Sequence, residues 1–210
     1  MTKVKMCGMR RPEDIDIVNE LKPDYIGFIL SKSKRQVSVD TAHQLAALAD
    51  SSIKKVGIFV NRSIDYAAEA ALQIPLDIIQ LHGDETQTYV NLLRGKLLEH
   101  NLSVDIWKAI GIRDKDDIEK IYEYDVDGIL LDSKVEVGFG GTGKTFDWRL
   151  VKKIEKEKKI ILAGGLNKDN VRKAIEVVEP YAVDVSSGIE KDGIKDRELC
   201  GNFMKEVEGK

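Results

Sequence analysis

The sequence predicts an α/β protein: one domain, residues 1–210, folded as a closed (β/α)8 TIM barrel of the phosphate-binding type. Three observations carry that reading. Eight short apolar runs begin near residues 3, 24, 54, 77, 104, 126, 159 and 182. Helical periodicity or a helix cap follows them, and strict strand–helix alternation implies parallel strands joined by right-handed crossovers. No composition shift, linker or low-complexity stretch divides the 210 residues, a length near the lower limit of about 200 for such a barrel. An open doubly wound sheet is the alternative. The strand–helix unit recurs without a clear residue-level repeat.

Val4–Cys7 reads as the first strand. Pro12 suits a first helical turn, and Glu13 and Asp14 suit the positive end of its dipole. Ile15, Val18 and Leu21 give that helix its apolar stripe. Asp24–Leu30 is the second strand; a loop with Lys32, Lys34 and Arg35 leaves it, and Ser38 or Asp40 caps a helix to about Ala49. Val56–Val60 is the third strand, followed by a helix capped at Ser63. Leu76–Leu81 is the fourth, ending on His82-Gly83, with a helix from about Glu85 to Arg94. Val104–Ile110 is the fifth, and Asp114 opens the next helix. Gly128–Asp132 is the sixth, ending on a carboxylate before a glycine-rich loop, with Asp147 capping a helix over Trp148–Lys156. Ile160–Ala163 is the seventh, ending on Gly164-Gly165, and Asn167 caps the helix after it. Ala182–Val185 is the eighth, ending on Ser186-Ser187-Gly188, and the last helix runs from Asp196 to about Val207.

Composition narrows the function. The chain is 42% apolar and 33% charged, with net charge −3 and pI about 5.7, which gives no support for nucleic-acid binding. No apolar run approaches the roughly 20 residues of a membrane span. The N-terminus runs straight into a strand pattern with no signal peptide, and Cys7 and Cys200 lie far apart, so a reducing cytoplasm is expected. Monomer and homodimer both remain open.

In a barrel of this type the active site lies at the strand C-termini. There the chain places Cys7-Gly8, the Arg35 loop, Asn61, His82-Gly83, Asp132, Gly164-Gly165 and Ser186-Ser187-Gly188. Asp132 alone would pass as a turn former; the shared rim gives it a chemical reading. The clusters after strands seven and eight predict a phosphate site, because barrels commonly bind phosphate there. Cys7 on the rim can be nucleophile or general base if neighbours favour its thiolate, whereas Cys200 reads as a core thiol. His82 reads as a positioning partner or a base. Arg35 has a specific task if the substrate carries a carboxylate. Gly138 and Gly143-Lys144-Thr145 match a nucleotide-binding loop, yet Ser133–Val137 separate them from the strand, against the strand–loop–helix context that motif needs. The segment reads instead as a substrate loop with Lys144 facing an anion. No His/Cys cluster has metal-ligand spacing.

Taken jointly, several motifs resemble the phosphoribosylanthranilate isomerase family of tryptophan biosynthesis. They are Lys5-Met6-Cys7-Gly8, Val56–Asn61, Gln80-Leu81-His82-Gly83, Leu130-Leu131-Asp132, Gly140–Trp148, Leu162–Leu166 and Val183–Gly188. Departures are Met9-Arg10 after Cys-Gly, Lys34 before Arg35, and Phe139 before Gly140-Gly141. The resemblance implies an Amadori rearrangement of a phosphorylated aminosugar without cofactor or metal. Asp132 would be the general acid, with its pKa raised, and Cys7 the general base. Arg35 would hold the aromatic carboxylate and Asp184 would face the amine or ribose hydroxyls. His82 and the loop Gly141, Thr142, Gly143 and Lys144 would complete the substrate site. Gly164, Gly165, Ser186, Ser187 and Gly188 would take the phosphate. The related histidine-pathway isomerase works with two carboxylates, and Cys7 stands where its first would be. Indole-glycerol-phosphate synthase uses a strand-borne lysine; Lys5 and Lys108 are on strands here, in motifs that do not match.

Overall fold

Eight parallel strands close on themselves in the computed structural model, which describes residues 1–133, 147–151 and 158–209. They are β1 (Lys3–Cys7), β2 (Tyr25–Ile29), β3 (Lys54–Phe59), β4 (Ile78–Leu81), β5 (Asp105–Ile112), β6 (Gly128–Ser133), β7 (Ile160–Leu162) and β8 (Ala182–Val185), hydrogen-bonded in sequence order, with β8 returning to β1. The doubly wound alternative is therefore excluded.

Side chains alternate across each strand. Cys7, Tyr25, Ile58, Trp107, Leu130 and Ile161 pack inside the barrel. Met6, Ile26, Phe28, Phe59 and Leu81 pack outward with Ile15, Val18 and Leu45 of the surrounding helices. Both strand faces are dry, which is why the runs are apolar throughout rather than alternating. The barrel floor is aromatic: the Tyr25 and Trp107 rings meet edge-on at 5.2 Å, and the Tyr25 and Tyr181 hydroxyls are 3.1 Å apart.

A residue-level repeat is present after all, one that hydropathy does not show. Asp24, Asp77 and Asp127 stand just before β2, β4 and β6, and each carboxylate accepts a backbone N–H from the preceding strand. The donors are Val4 at 2.9 Å, Lys55 at 2.8 Å and Ile106 at 2.8 Å. Tyr181 takes the corresponding place before β8 and spends its hydroxyl on Tyr25 instead. The clamp thus recurs at β2, β4 and β6 and satisfies amides at the barrel's open lower edge.

The helices are α1 (Pro12–Leu21), α2 (Val39–Leu48), α3 (Ile64–Gln73), α4 (Gln87–Glu99), α5 (Asp116–Glu119), α6 (Val171–Val178) and α7 (Arg197–Glu208). Ser38, Ser63 and Asp196 cap α2, α3 and α7 through their side chains. Three local expectations need correction. The helix expected from Glu85 begins at Gln87 with Thr86 as its cap and runs to Glu99, because buried Glu85 is held in the preceding loop. The helix after Asp114 is one turn continued by a 3-10 segment, Lys120–Glu123. Asn167 caps a separate turn, accepting from the Asp169 N–H, and α6 starts only after Asn170. Asp147 does accept from the Arg149 N–H, opening a 3-10 turn at Trp148–Leu150; Lys152–Lys156 lie outside the described residues.

After β8 the chain makes a 3-10 turn, Ser187–Ile189, and then an unforeseen hairpin, β9 (Glu190–Lys191) and β10 (Ile194–Lys195). Its two-residue loop is Asp192-Gly193, with φ of 55° and 76°. Asp-Gly between short strands is a strong hairpin signal, so this element was readable in the sequence. No described helix is long and apolar enough to cross a membrane.

Candidate active site

β1 sends Lys5 and Cys7 into the barrel, two residues apart on one face, with Val4 and Met6 on the other. Lys5 is wholly buried, and register places it beside Asp184 of β8. Its Nζ donates to Asp184 Oδ1 at 2.9 Å. Burial pulls the Lys5 pKa down, but Asp184 and Cys7 more than offset it, leaving it above its ordinary value. For Cys7 burial dominates and pushes the thiol up; Lys5 and Lys195 act against that rise, and Asp184 adds to it. Gly8 follows with φ of 87°, and a Cβ there would lie 2.9 Å from Arg35 Cδ and 3.3 Å from Ser186 Oγ. Only glycine lets the Arg35 and Ser186 side chains converge on the end of β1. Ser186 Oγ in turn donates to the Cys7 carbonyl at 3.0 Å.

Asp132 is the inward residue at the end of β6. His82, at the end of β4, places Nε2 3.5 Å from Asp132 Oδ2. The His82 ring is oriented from behind by Gln80, whose Nε2 lies 2.9 Å from Nδ1. Gln80 is buried two residues earlier on the same face of β4. Gly164, with φ of 88°, follows β7 beside this group; a Cβ would come within 2.9 Å of Asp132 Oδ1 and 2.6 Å of the Ser133 nitrogen.

Arg35 is not free. Its Nε and Nη2 donate to Glu190 Oε1 at 2.7 Å and Oε2 at 2.6 Å, a two-pronged pair across the barrel mouth. Glu190 also accepts from Lys195 Nζ at 2.8 Å, and that ammonium reaches the Ser186 carbonyl at 3.0 Å. The bond to Glu190 raises the Arg35 pKa. Burial alone would raise the Glu190 carboxyl, but Arg35 and Lys195 hold it below the ordinary range. Burial lowers the Lys195 pKa despite Glu190.

The two loops predicted for phosphate touch each other. A Cβ on Gly188 would sit 2.0 Å from the Leu166 carbonyl oxygen. Gly164-Gly165 and Ser186-Ser187-Gly188 therefore form one continuous shelf above β7 and β8. Gly141, Thr142, Gly143 and Lys144, with the rest of the nucleotide-loop match, lie outside the described residues.

The structure thus brings Cys7, Arg35, His82, Asp132, Asp184 and the two glycine–serine loops to one mouth. It leaves Lys108 out. Its neighbours Trp107 and Ala109 face inward, so Lys108 points to the helical layer, where it binds Glu85 at 3.1 Å and the Gly83 carbonyl at 2.6 Å. Sequence reading missed Gln80, Glu190 and Lys195. The hairpin signal at Asp192-Gly193 could have drawn attention to the last two. Among the described residues no group of three or more His, Cys, Asp or Glu side chains is placed to hold a metal ion.

Comparison with known proteins shows the family. A family model described as N-(5'phosphoribosyl)anthranilate (PRA) isomerase matches residues 4–206. The N-(5'-phosphoribosyl)anthranilate isomerase of Thermoanaerobacter pseudethanolicus is 48% identical over 209 residues, covering 100% of this chain and 99% of that one. The crystal structure of phosphoribosyl anthranilate isomerase from Thermotoga maritima aligns at TM-score 0.89 and 36% identity, with 100% of both chains covered. Another structure of such an isomerase, in complex with reduced 1-(o-carboxyphenylamino)-1-deoxyribulose 5-phosphate, aligns at TM-score 0.83 and 34% identity, again over 100% of both chains. The chain belongs to the N-(5'-phosphoribosyl)anthranilate isomerase family.

Proposed function

We propose that this chain catalyses the Amadori rearrangement of N-(5-phosphoribosyl)anthranilate to 1-(2-carboxyphenylamino)-1-deoxyribulose 5-phosphate in tryptophan biosynthesis, with Asp132 as general acid and Cys7 as general base. One observation carries the assignment. Cys7 ends β1 and Asp132 ends β6, and the strands between them in the closed barrel, β7 and β8, carry the glycine–serine shelf. A phosphate on that shelf leaves the ribose between a carboxyl on one side and a thiol on the other.

The chemistry needs both. Asp132 gives its proton to the furanose oxygen; the C1–O bond breaks, and the nitrogen lone pair forms a protonated imine. Cys7, as thiolate, removes the C2 proton, and the C–H electrons flow into the imine to give an enolamine. The enolamine tautomerises to the aminoketone. The imine is its own electron sink, so the scheme needs only a positioned acid and base. His82 steadies the Asp132 carboxyl, and Asp184 faces the amine or the ribose hydroxyls.

Arg35 is the group for the aromatic carboxylate. Since Glu190 occupies Nε and Nη2, that carboxylate either takes the remaining edge of the guanidinium or displaces Glu190. The ligand of the related complex, which carries a carboxyphenyl group and a phosphate at opposite ends, supports this division of the mouth. The test is an assay with freshly prepared phosphoribosylanthranilate, following loss of its fluorescence. Catalysed loss with formation of the aminoketose is expected; decay at the rate without protein would overturn the proposal.

A further inference from the structure

We propose that Lys5 is the positioning residue for the base: its ammonium, fixed by Asp184, is the counter-ion against which the Cys7 thiolate forms. This rests on Cys7 being the base and explains how a buried thiol can serve as one. Burying a lysine costs several kcal/mol unless it is paired, and here Nζ is held at 2.9 Å by Asp184 with no exposure to solvent. Lys5 is two residues before Cys7 on the same inward face, and each of the two ionisable groups favours the charged form of the other.

The charges around the thiol make the same point. Lys5 comes from β1, Asp184 from β8, Arg35 from the loop after β2, Lys195 from β10 and Glu190 from β9. Lys5, Asp184 and Lys195 act on Cys7 directly, Arg35 feels its charge, and Glu190 lies behind the two outer cations. Three cations face two carboxylates, leaving one positive charge. A Cys7 thiolate would neutralise it. Lys5 is the cation acting most strongly on the thiol.

The test titrates the thiolate of the free enzyme by its ultraviolet absorbance, with Cys7→Ser as the blank. That blank removes the contribution of Cys200, which is buried and pushed up to about 11. Removing Lys5 alone strands Asp184, so the cleaner comparison is Asp184→Asn against the double variant Lys5→Met/Asp184→Asn. Loss of an opposite charge within about 4–6 Å shifts a titration by about 1–3 pH units. The Cys7 midpoint is expected to rise by that amount between the two, and likewise between wild type and Lys5→Met. A midpoint that stays or falls in the folded variants overturns the inference, because a merely structural Lys5 would change the melting temperature and not the titration. Turnover separates the two readings. Full activity in Cys7→Ser would remove the base assignment without touching the titration. An unmoved titration would remove Lys5 and leave the base assignment standing.

Discussion

Arg35 holds a carboxylate before any substrate arrives. On the proposed reading, a substrate carboxylate at Arg35 works against an existing pair, and the net gain of a charge-assisted hydrogen bond is about 1.5–3 kcal/mol. Arg35→Ala should raise KM about 10- to 100-fold with a smaller change in kcat; steady-state kinetics with unchanged KM would return Arg35 to a purely structural role. Glu190→Gln should destabilise the fold by about 1–3 kcal/mol, since it leaves Lys195 and Arg35 short of a charged partner. The sign of the pH dependence follows from the depressed Glu190 carboxyl. Its contribution is fully present above the ordinary value of 4.5 and is lost as pH falls through the lower folded-state value. Thermal melts of wild type and Glu190→Gln should converge as pH drops below that ordinary value; a constant gap would show that the charge of Glu190 is not what stabilises. Arg35 stood out in the sequence because guanidinium chemistry is local, and the expected task was a substrate carboxylate. Its partner did not, because Glu190 lies 155 residues away and only barrel closure brings them together.

At the scale of elements, the aspartates before β2, β4 and β6 do the same job three times. Each ties the lower edge of one strand to the start of the next. Asp77→Ala removes a charge-assisted bond to the Lys55 amide and should cost about 1.5–3 kcal/mol in urea denaturation, with kcat unchanged because the clamp lies at the opposite end from the mouth. A loss of activity without a loss of stability would contradict that division. The strands were readable from apolar runs of the right length, since a parallel sheet buried on both faces leaves little else to read. Helix starts were less so. Glu85 looked like a first-turn acid, yet its carboxylate accepts from the Asn61 and Gly83 amides and pairs with Lys108. Asn167 looked like a cap and caps a different turn. Tertiary partners decided both, and periodicity does not report them. The hairpin β9–β10 had a local signal in Asp192-Gly193 and supplies Glu190 and Lys195 to the mouth.

At the scale of the whole molecule, closure is what makes the site. Residues from β1, β4, β6 and β8 face one another only because β8 pairs with β1. The order β6, β7, β8, β1 then sets Asp132, the glycine–serine shelf and Cys7 along one arc. The rim positions of Cys7, His82, Asp132, Gly164 and Ser186 were legible because each ends an apolar run. Gln80 and Lys5 lie inside such runs, and their pairing with His82 and Asp184 shows only once the inward face is known. The central claim is that a proton is given by Asp132 and another taken by Cys7. The most direct measurement is kcat for purified, folded Cys7→Ser and Asp132→Asn in the fluorescence assay. A positioned proton-transfer group contributes about 10²–10⁴-fold, so each variant should lose at least that order in kcat with KM little changed. Near-wild-type turnover in either variant would contradict the account; in Cys7→Ser alone it would direct the search for the base to His82.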